Sequence, residues 1–226
     1  PENVADYRLP QLSLDFESVI DATAPGQKVH VLAHDWGAIM TWESVHRLPD
    51  RISSFTFVSG PSLDFGKKAL LGSAKNPRRL PALLYQTLAS TYIAFNYLPV
   101  LPELFWKSGL GPKAIDLLVR LTEGVQRYPF DGIDGAAQTN LYRANIFQRL
   151  LNPTYDHVDV PVQQIVPSKD YFVTPVFYEG LEDALHSTFG RLDGVIHGAG
   201  VLDDRLVRDK SAEGFDRVFG TKVESA

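Results

Sequence analysis

The alternation of helical and strand-like segments near the start of the chain constrains its fold more than any other feature. Two β-branched, apolar runs, Val29–Ala33 and Ile52–Ser59, are typical of strands buried inside a sheet. Apolar residues recur at helical spacing before the first run, in Leu14–Ala22, and Gly37–Arg47 between the runs again favours a helix. Helix, strand, helix and strand at these lengths predict an α/β fold, with a mostly parallel sheet and helices on both of its faces.

A long helical segment then interrupts this alternation. From residue 62 to residue 151 strand-like runs are missing, and helical patches are separated by prolines and glycines. About ninety residues are too many for a plain crossover between two strands, so we predict an inserted helical cap. Strand character returns at Val160–Val166, and a helix is expected from about Pro175 to Leu185. The predicted organisation is a partial core in residues 1–61, the cap in 62–151, and the core again in 152–186.

Composition excludes several classes of function. Charged residues make up 22% of the 226 residues and the formal net charge is −5, which does not suggest a nucleic-acid-binding surface. The chain contains no cysteine, so disulfides, thiolate nucleophiles and cysteine-based zinc sites are excluded. No apolar run is long enough to span a bilayer, and the first residues lack the pattern of a secretory leader. We therefore expect a cytoplasmic protein that binds neither nucleic acid nor membrane.

The turn Ala33–Gly37 joins the first predicted strand to the helix that follows it. This turn has the shape of a nucleophile elbow, in which the residues two before and two after the nucleophile must be small. Ala33 and Gly37 meet that requirement, and Asp35 stands at the nucleophile position, where a carboxylate can attack a substrate. The helix N-terminus would stabilise its negative charge. The alternative is that Asp35 only caps the helix, because aspartate is a favoured N-cap residue.

The stretch Val29–Trp42, with His34-Asp35-Trp36-Gly37 after a strand, resembles the epoxide hydrolases and the haloalkane dehalogenases. The resemblance implies that Asp35 is the nucleophile. It also implies that the backbone N–H of Trp36, the residue after the nucleophile, belongs to the oxyanion hole. The fold that it implies is an α/β-hydrolase sheet with an inserted helical cap.

Two tyrosines in the predicted cap match positions that this family uses. Asn140-Leu141-Tyr142-Arg143 resembles the Asn-x-Tyr-Arg segment of epoxide-hydrolase caps, in which a tyrosine hydroxyl holds and protonates the epoxide oxygen. Tyr92 falls where the other cap tyrosine of the family lies. A developing alkoxide needs a general acid or a strong donor beside it. The alternative is that either residue is one of nine tyrosines that mostly serve packing or the surface.

Asp170 follows the strand Val160–Val166, at the place where these hydrolases have the acid that orients a histidine. It could also be an ordinary turn residue. The Gly-His pair expected after the last strand is absent. His197 follows a short predicted strand at close to the family's separation from the acid, so by position it could replace the missing base. By motif, His197 belongs to a different family.

Residues 14–185 look most like the hydrolase half of bacterial fusion proteins that join an α/β hydrolase to a short-chain dehydrogenase. Residues 187–226 resemble part of a polyketide-synthase-type ketoreductase instead. The match lies in His197–Gly200, beside the nicotinamide in that family, in Leu202–Asp204 and in Lys222. The glycine-rich fingerprint that cradles the pyrophosphate is absent, as is the Ser…Tyr pair that donates the proton. We therefore expect a short Rossmann-type tail that binds no nicotinamide cofactor.

The leading hypothesis is hydrolysis of epoxides, or of related ester-type substrates, through an aspartyl alkyl-enzyme intermediate. The expected substrate is a small hydrophobic molecule, and no metal or organic cofactor is needed. The chain could instead be a dehalogenase that uses the Trp36 indole, or an NADP-dependent reductase of which only the tail matches. It could also be a truncated or recombined fragment with impaired catalysis, because the early strands and the loop with the second oxyanion donor are missing. The sequence does not predict the oligomeric state.

Overall fold

A three-stranded parallel sheet lies at the centre of the structure. The computed structural model of the protein describes residues 3–123, 132–168 and 170–179. The strands β1 (Val29–His34), β2 (Ile52–Val58) and β3 (Val162–Ile165) follow one another in that order across the sheet, and both pairs are parallel. The predicted parallel α/β arrangement is therefore confirmed. β3 is shorter than the predicted strand Val160–Val166, because Pro161 has no N–H to donate to a neighbouring strand.

Two helices pack beside the first two strands. α1 (Leu9–Thr23) contacts α2 (Trp36–Arg47), and α2 in turn contacts β1 and β2. α1 begins earlier than the predicted start at Leu14. Pro10 lies in its first turn, where a missing N–H costs nothing and the fixed φ of proline suits the helix.

The contact between α2 and the sheet is aromatic. Trp42 packs edge to face against Phe55, with ring centroids 5.0 Å apart, and against Phe57 at 5.1 Å. All three side chains are buried. Burial of this much aromatic surface fixes α2 on the sheet, and with it the turn from which α2 begins.

One face of the sheet is open at β1. Along this strand half-buried residues alternate with exposed ones, and the exposed set is His30, Leu32 and His34. Leu32 is 72% exposed. Because successive side chains of a strand point to opposite faces, the described helices cover one face of β1 and leave the other open. The sequence predicted helices on both faces of the sheet, but at β1 the described residues place helices on one face only.

The segment between β2 and β3 is helical. In chain order its α-helices are α3 (Leu63–Ala74), α4 (Leu80–Ala89), α5 (Thr91–Asn96), α6 (Leu101–Lys107), α7 (Leu110–Glu123) and α8 (Gly132–Leu151). The described part of this segment contains no strand. α8 contacts α3, α5, α6 and α7. The division into core and cap at residues 62 and 151 stays a prediction. Within the described ranges, no helix is both long and apolar enough to cross a membrane.

Buried charges join α8 to α2 and α3. Arg149 of α8 forms one ion pair with Glu43 of α2 and a second with Asp64 of α3, the latter at 3.2 Å. The Tyr155 hydroxyl donates to Glu43 at 3.1 Å. Asp64 also accepts from the backbone N–H groups of Thr154 (2.6 Å) and Tyr155 (3.2 Å). Because these buried acceptors all have donors, the network fixes α8 against the helix that begins at the predicted nucleophile.

Candidate active site

Asp35 has a backbone conformation that few residues other than glycine adopt. It lies between β1 and α2 with φ 52° and ψ −127°. Its N–H donates to the carbonyl of Val58 at 3.2 Å, and its own carbonyl accepts from the N–H groups of Ala38 and Ile39 at 3.0 and 3.1 Å. A positive φ outside glycine costs on the order of 1–3 kcal/mol, so the surrounding contacts must hold it in place.

Gly60 closes this turn from the neighbouring strand. Its φ is +67°, and a Cβ atom there would lie 2.1 Å from the Asp35 carbonyl oxygen and 2.9 Å from the Cβ of Ala38. Only glycine fits at this position. The sequence predicted a demand for a small residue at Gly37, but a Cβ built there meets no described atom within 4 Å beyond its chain neighbours and the adjacent backbone of α2. In the described structure the steric constraint therefore falls on Gly60, in the next strand's loop, and the prediction for Gly37 finds no support.

The carboxylate of Asp35 does not cap α2. Asp35 occupies the N-cap position, but its side chain makes no hydrogen bond to the helix. A capping aspartate would accept from a backbone N–H in the first turn. The side chain is exposed, and no described group forms a hydrogen bond or an ion pair with it. The cap interpretation of Asp35 therefore loses its physical basis, while a carboxylate at a helix N-terminus remains available to a substrate.

Trp36 and the two tyrosines form an aromatic cluster next to Asp35. The rings of Trp36 and Tyr142 pack edge to face with centroids 4.9 Å apart, and those of Tyr92 and Tyr142 do so at 5.7 Å. Trp36 is also the first residue of α2, so its backbone N–H has no partner inside the helix. The structure thus brings four of the predicted site residues together, from the turn after β1 and from α2, α5 and α8.

Burial controls the protonation of both tyrosines. Burial raises the pKa of Tyr92, and the neighbouring Tyr142 and the negative charge of Asp35 raise it further. Burial likewise raises the pKa of Tyr142, and Asp35 acts in the same direction, although Trp36 and Tyr92 oppose the change. A raised pKa keeps each hydroxyl protonated at neutral pH. Both hydroxyls are therefore protonated donors, close enough to Asp35 to respond to its charge.

Asp170 is held by three donors. The hydroxyl of Ser59 donates to Oδ2 at 2.6 Å, and the backbone N–H groups of Phe172 and Val173 donate to Oδ1 at 2.8 and 3.0 Å. Ser59 comes directly after β2 and has a positive φ of 50°. Ser59 was not among the site residues predicted from the sequence. The one sequence feature that could have indicated it is its place at the end of the strand beside β1. The carboxyl ends of parallel strands meet at one edge of a sheet, which is where ligands bind in such folds.

The acid and Tyr92 lie on the same side of the site. Phe172, two residues after Asp170, packs edge to face on Tyr92 with centroids 5.5 Å apart. The charge of Asp170 also contributes to the raised pKa of Tyr92. Among the described histidines, none hydrogen-bonds to Asp170. His197 and the rest of the ketoreductase-like segment 187–226 lie outside the described residues, so the histidine of the predicted site has no structural account.

Comparison with known proteins identifies the fold. Residues 1–103 match a family model described as alpha/beta hydrolase fold. A mutant epoxide hydrolase from Bacillus megaterium, solved with its product, has a TM-score of 0.59 to this chain at 20% identity, covering 81% of this chain and 67% of that one. The described part of this chain has the α/β-hydrolase fold. An epoxide hydrolase from Vigna radiata is similar as well, with a TM-score of 0.55, 21% identity, and 83% and 65% coverage.

The end of the chain matches a second family model, and most of the chain matches a curated relative. Residues 178–226 match the family model of the KR domain. The probable oxidoreductase EphD of Mycobacterium bovis and of Mycobacterium tuberculosis is 35% identical over 196 residues, or 79% of this chain. Those residues are 32% of that relative, so the chain spans about a third of the length of the curated relatives it matches. The predicted resemblances, to epoxide-hydrolase-type α/β hydrolases and to a ketoreductase in the tail, are both confirmed.

Proposed function

We propose that this chain hydrolyses epoxides through a covalent ester on Asp35. The observation that carries the proposal is the position of Asp35 in a positive-φ turn at the start of α2, with a carboxylate that no described group binds and two protonated tyrosines that respond to its charge. A nucleophile, a helix N-terminus and two donors are the groups that opening of an epoxide ring needs. The epoxide hydrolases among the similar structures support the same assignment.

The first step forms the ester. A carboxylate oxygen of Asp35 attacks one ring carbon, and the bond from that carbon to the epoxide oxygen breaks. The electron pair of that bond passes to the oxygen, which takes a proton from Tyr142 while Tyr92 donates a hydrogen bond to it. An alkoxide is a stronger base than a phenolate, so transfer from a tyrosine with a raised pKa is still favourable. A general acid in this position contributes about 10²–10⁴-fold to the rate.

The second step hydrolyses the ester. Water adds to the carbonyl carbon of the ester, and the backbone N–H of Trp36 stabilises the oxyanion that forms. The bond between the carbonyl carbon and the alkyl oxygen then breaks, and the alkyl oxygen takes the proton that the base removed from the water, which releases a diol. The second proton of that water passes from the Asp35 carboxyl group to the Tyr142 phenolate, so that the Asp35 carboxylate and the Tyr142 hydroxyl are both restored. A base must take a proton of the water, and in this proposal Asp170, which Ser59 and two backbone amides hold, orients the histidine that acts as the base. We assign His197 to this role as a proposal that its position in the sequence suggests.

The expected substrate is a small hydrophobic epoxide. Trp36, Tyr92 and Tyr142 form an aromatic surface beside the proposed nucleophile, and its polar atoms are the two hydroxyls and the indole N–H. Dehalogenation would need donors for a halide, and a pair of protonated tyrosines beside the nucleophile suits an epoxide oxygen better. The resemblance of residues 178–226 to a KR domain adds no role to this mechanism, and a reductase would require the cofactor fingerprint that the sequence lacks.

Turnover of a chromogenic epoxide by the purified chain tests this function. Tyr142→Phe keeps the ring packing and removes the donor, so we expect turnover to fall by about 10²-fold or more. Tyr155→Phe is the matched control, because it removes a tyrosine hydroxyl that binds Glu43 and lies outside the proposed site, and its turnover should stay close to that of the parent. A haloalkane that carries the same aryl group as the chromogenic epoxide should release no halide. The proposal would be contradicted if the chain released halide but did not turn over the epoxide, or if Tyr142→Phe and the control variant lost turnover equally.

A further inference from the structure

Arg143, the neighbour of Tyr142, uses all three nitrogens of its guanidinium to bind the end of α5 and the chain that follows it. Nε donates to the carbonyl of Asn96 at 2.8 Å, and Nη2 donates to the carbonyl of Leu98 at 2.6 Å. Both terminal nitrogens also reach the carboxylate of Glu103, one of them at 3.2 Å. This fork is a geometry that arginine offers and lysine does not. The side chain is 19% exposed, so solvent competes weakly for these acceptors.

These acceptors belong to the segment that carries Tyr92. Asn96 ends α5, and its side-chain amide donates to the carbonyl of Tyr92 at 2.9 Å. The same segment is attached to α8 a second time, because the Tyr97 hydroxyl donates to the carbonyl of Tyr142 at 2.7 Å. It also contains Val100 with φ 66°, a strained conformation for a β-branched residue. Strain of this kind persists only where anchors on both sides enforce it.

The two tyrosines differ in how they are otherwise held. Tyr142 lies on a long helix and packs into a hydrophobic cluster with Ile39 of α2 and Ile146 of α8, as well as against Trp36. Tyr92 lies on the six-residue helix α5, which is too short to be stable on its own. The position of Tyr92 therefore depends on its own ring contacts with Tyr142 and Phe172 and on the contacts of the rest of its segment, to which Arg143 supplies four hydrogen bonds.

We propose that Arg143 is a positioning residue that sets the Tyr92 hydroxyl against that of Tyr142. The proposal rests on the proposed function in so far as it gives Arg143 an effect on ring opening. Its geometric part stands on the contacts alone. Arg143→Lys keeps the charge and the stem but cannot satisfy two carbonyls and a carboxylate in one plane, so Tyr92 should move while Tyr142 stays on Trp36.

Nuclear Overhauser effects between labelled aromatic rings test the geometric part without any need for activity. The parent should show one effect between Tyr92 and Tyr142 and another between Trp36 and Tyr142. In Arg143→Lys the first should be lost and the second kept. Arg120→Lys, an exposed arginine on α7, is the control and should keep both. The proposal is overturned if the parent shows no effect between the two tyrosines, or if that effect survives in Arg143→Lys. It is also overturned if Arg143→Lys loses both effects together.

A double-mutant cycle on ester formation tests the effect on chemistry. Arg143→Lys should slow single-turnover ester formation about 10- to 100-fold, because a displacement of about 1 Å in an active site can cost up to about 10²-fold. The same substitution in a Tyr92→Phe background should have less than about a 2-fold effect, because the hydroxyl that it misplaces is already gone. Equal losses in both backgrounds would show a general structural role and overturn the proposal. A parent that shows both ring contacts but no ester refutes the proposed function and leaves the positioning role intact.

Discussion

Removal of the buried cation Arg149 should destabilise the whole chain. Its side chain is 10% exposed, and those of its partners Glu43 and Asp64 are 3% and 4% exposed. Arg149→Met retains much of the volume but leaves two buried carboxylates without a cation. Removing one partner of a buried ion pair costs about 3–5 kcal/mol. Glu43 would keep only the Tyr155 hydroxyl, whereas Asp64 would keep two backbone N–H donors, so we expect a loss of about 4 kcal/mol.

Urea unfolding of the full chain measures this loss. With a slope of about 2 kcal/mol per molar urea, the midpoint should fall by about 2 M. Arg120→Met is the control, because Arg120 pairs with Asp116 on an exposed face of α7, and it should cost less than about 0.5 kcal/mol. Adding Glu43→Gln to Arg149→Met should recover part of the loss, since it removes one uncompensated charge. A loss below about 1 kcal/mol, or no recovery in the double variant, would refute this account of the network.

Three further predictions concern the turn, a buried histidine and the second chemical step. Gly60→Ala should destabilise the fold and disrupt the Asp35 turn, because a Cβ would lie 2.1 Å from the Asp35 carbonyl oxygen; urea unfolding measures the loss. Burial lowers the pKa of His46 to about 4, from 6.5. Between pH 4 and pH 6.5 this histidine is protonated in the unfolded chain but not in the folded one. The free energy of unfolding therefore falls as the pH drops from 6.5 to 4. Denaturant midpoints at several pH values should lose this dependence in His46→Phe. His197→Ala should let the ester form and then trap it, which intact mass would record.

Each of these three predictions has an outcome that contradicts it. A Gly60→Ala variant as stable as the parent would show that the loop can move away from Asp35. If His46→Phe keeps the full pH dependence, other groups cause it. If His197→Ala turns over the epoxide as fast as the parent, His197 has no part in the second step.

The sequence predicts the parts of the site that are local. The run Val29–Ala33, the turn around Asp35 and the helix after it are contiguous, so their pattern alone predicts a strand, a tight turn and a helix. The comparison with a family adds Tyr92, Tyr142 and Asp170, which no local pattern distinguishes from ordinary packing or turn residues.

The contacts that hold the site together are not predictable in this way. Ser59 binds Asp170 across more than a hundred residues of chain, and Arg149 reaches Glu43 over a similar span. Gly60 looks like the end of a strand until the backbone of Asp35 is seen beside it. Such roles depend on which strands become neighbours, and that is decided by packing of the whole fold rather than by the residues alongside.

The most direct test of the central claim is the intact mass of the protein during incubation with an epoxide. The parent should gain the mass of one substrate molecule, and peptide mapping should place it on Asp35. Asp170→Asn should accumulate the same adduct to a higher level, because the proposed mechanism uses Asp170 in the second step and not in the first. Asp35→Asn is nearly isosteric and should form no adduct while it unfolds at the same urea concentration as the parent. An adduct of equal abundance on Asp35→Asn, or one mapped to another residue, would contradict the assignment of Asp35 as the nucleophile.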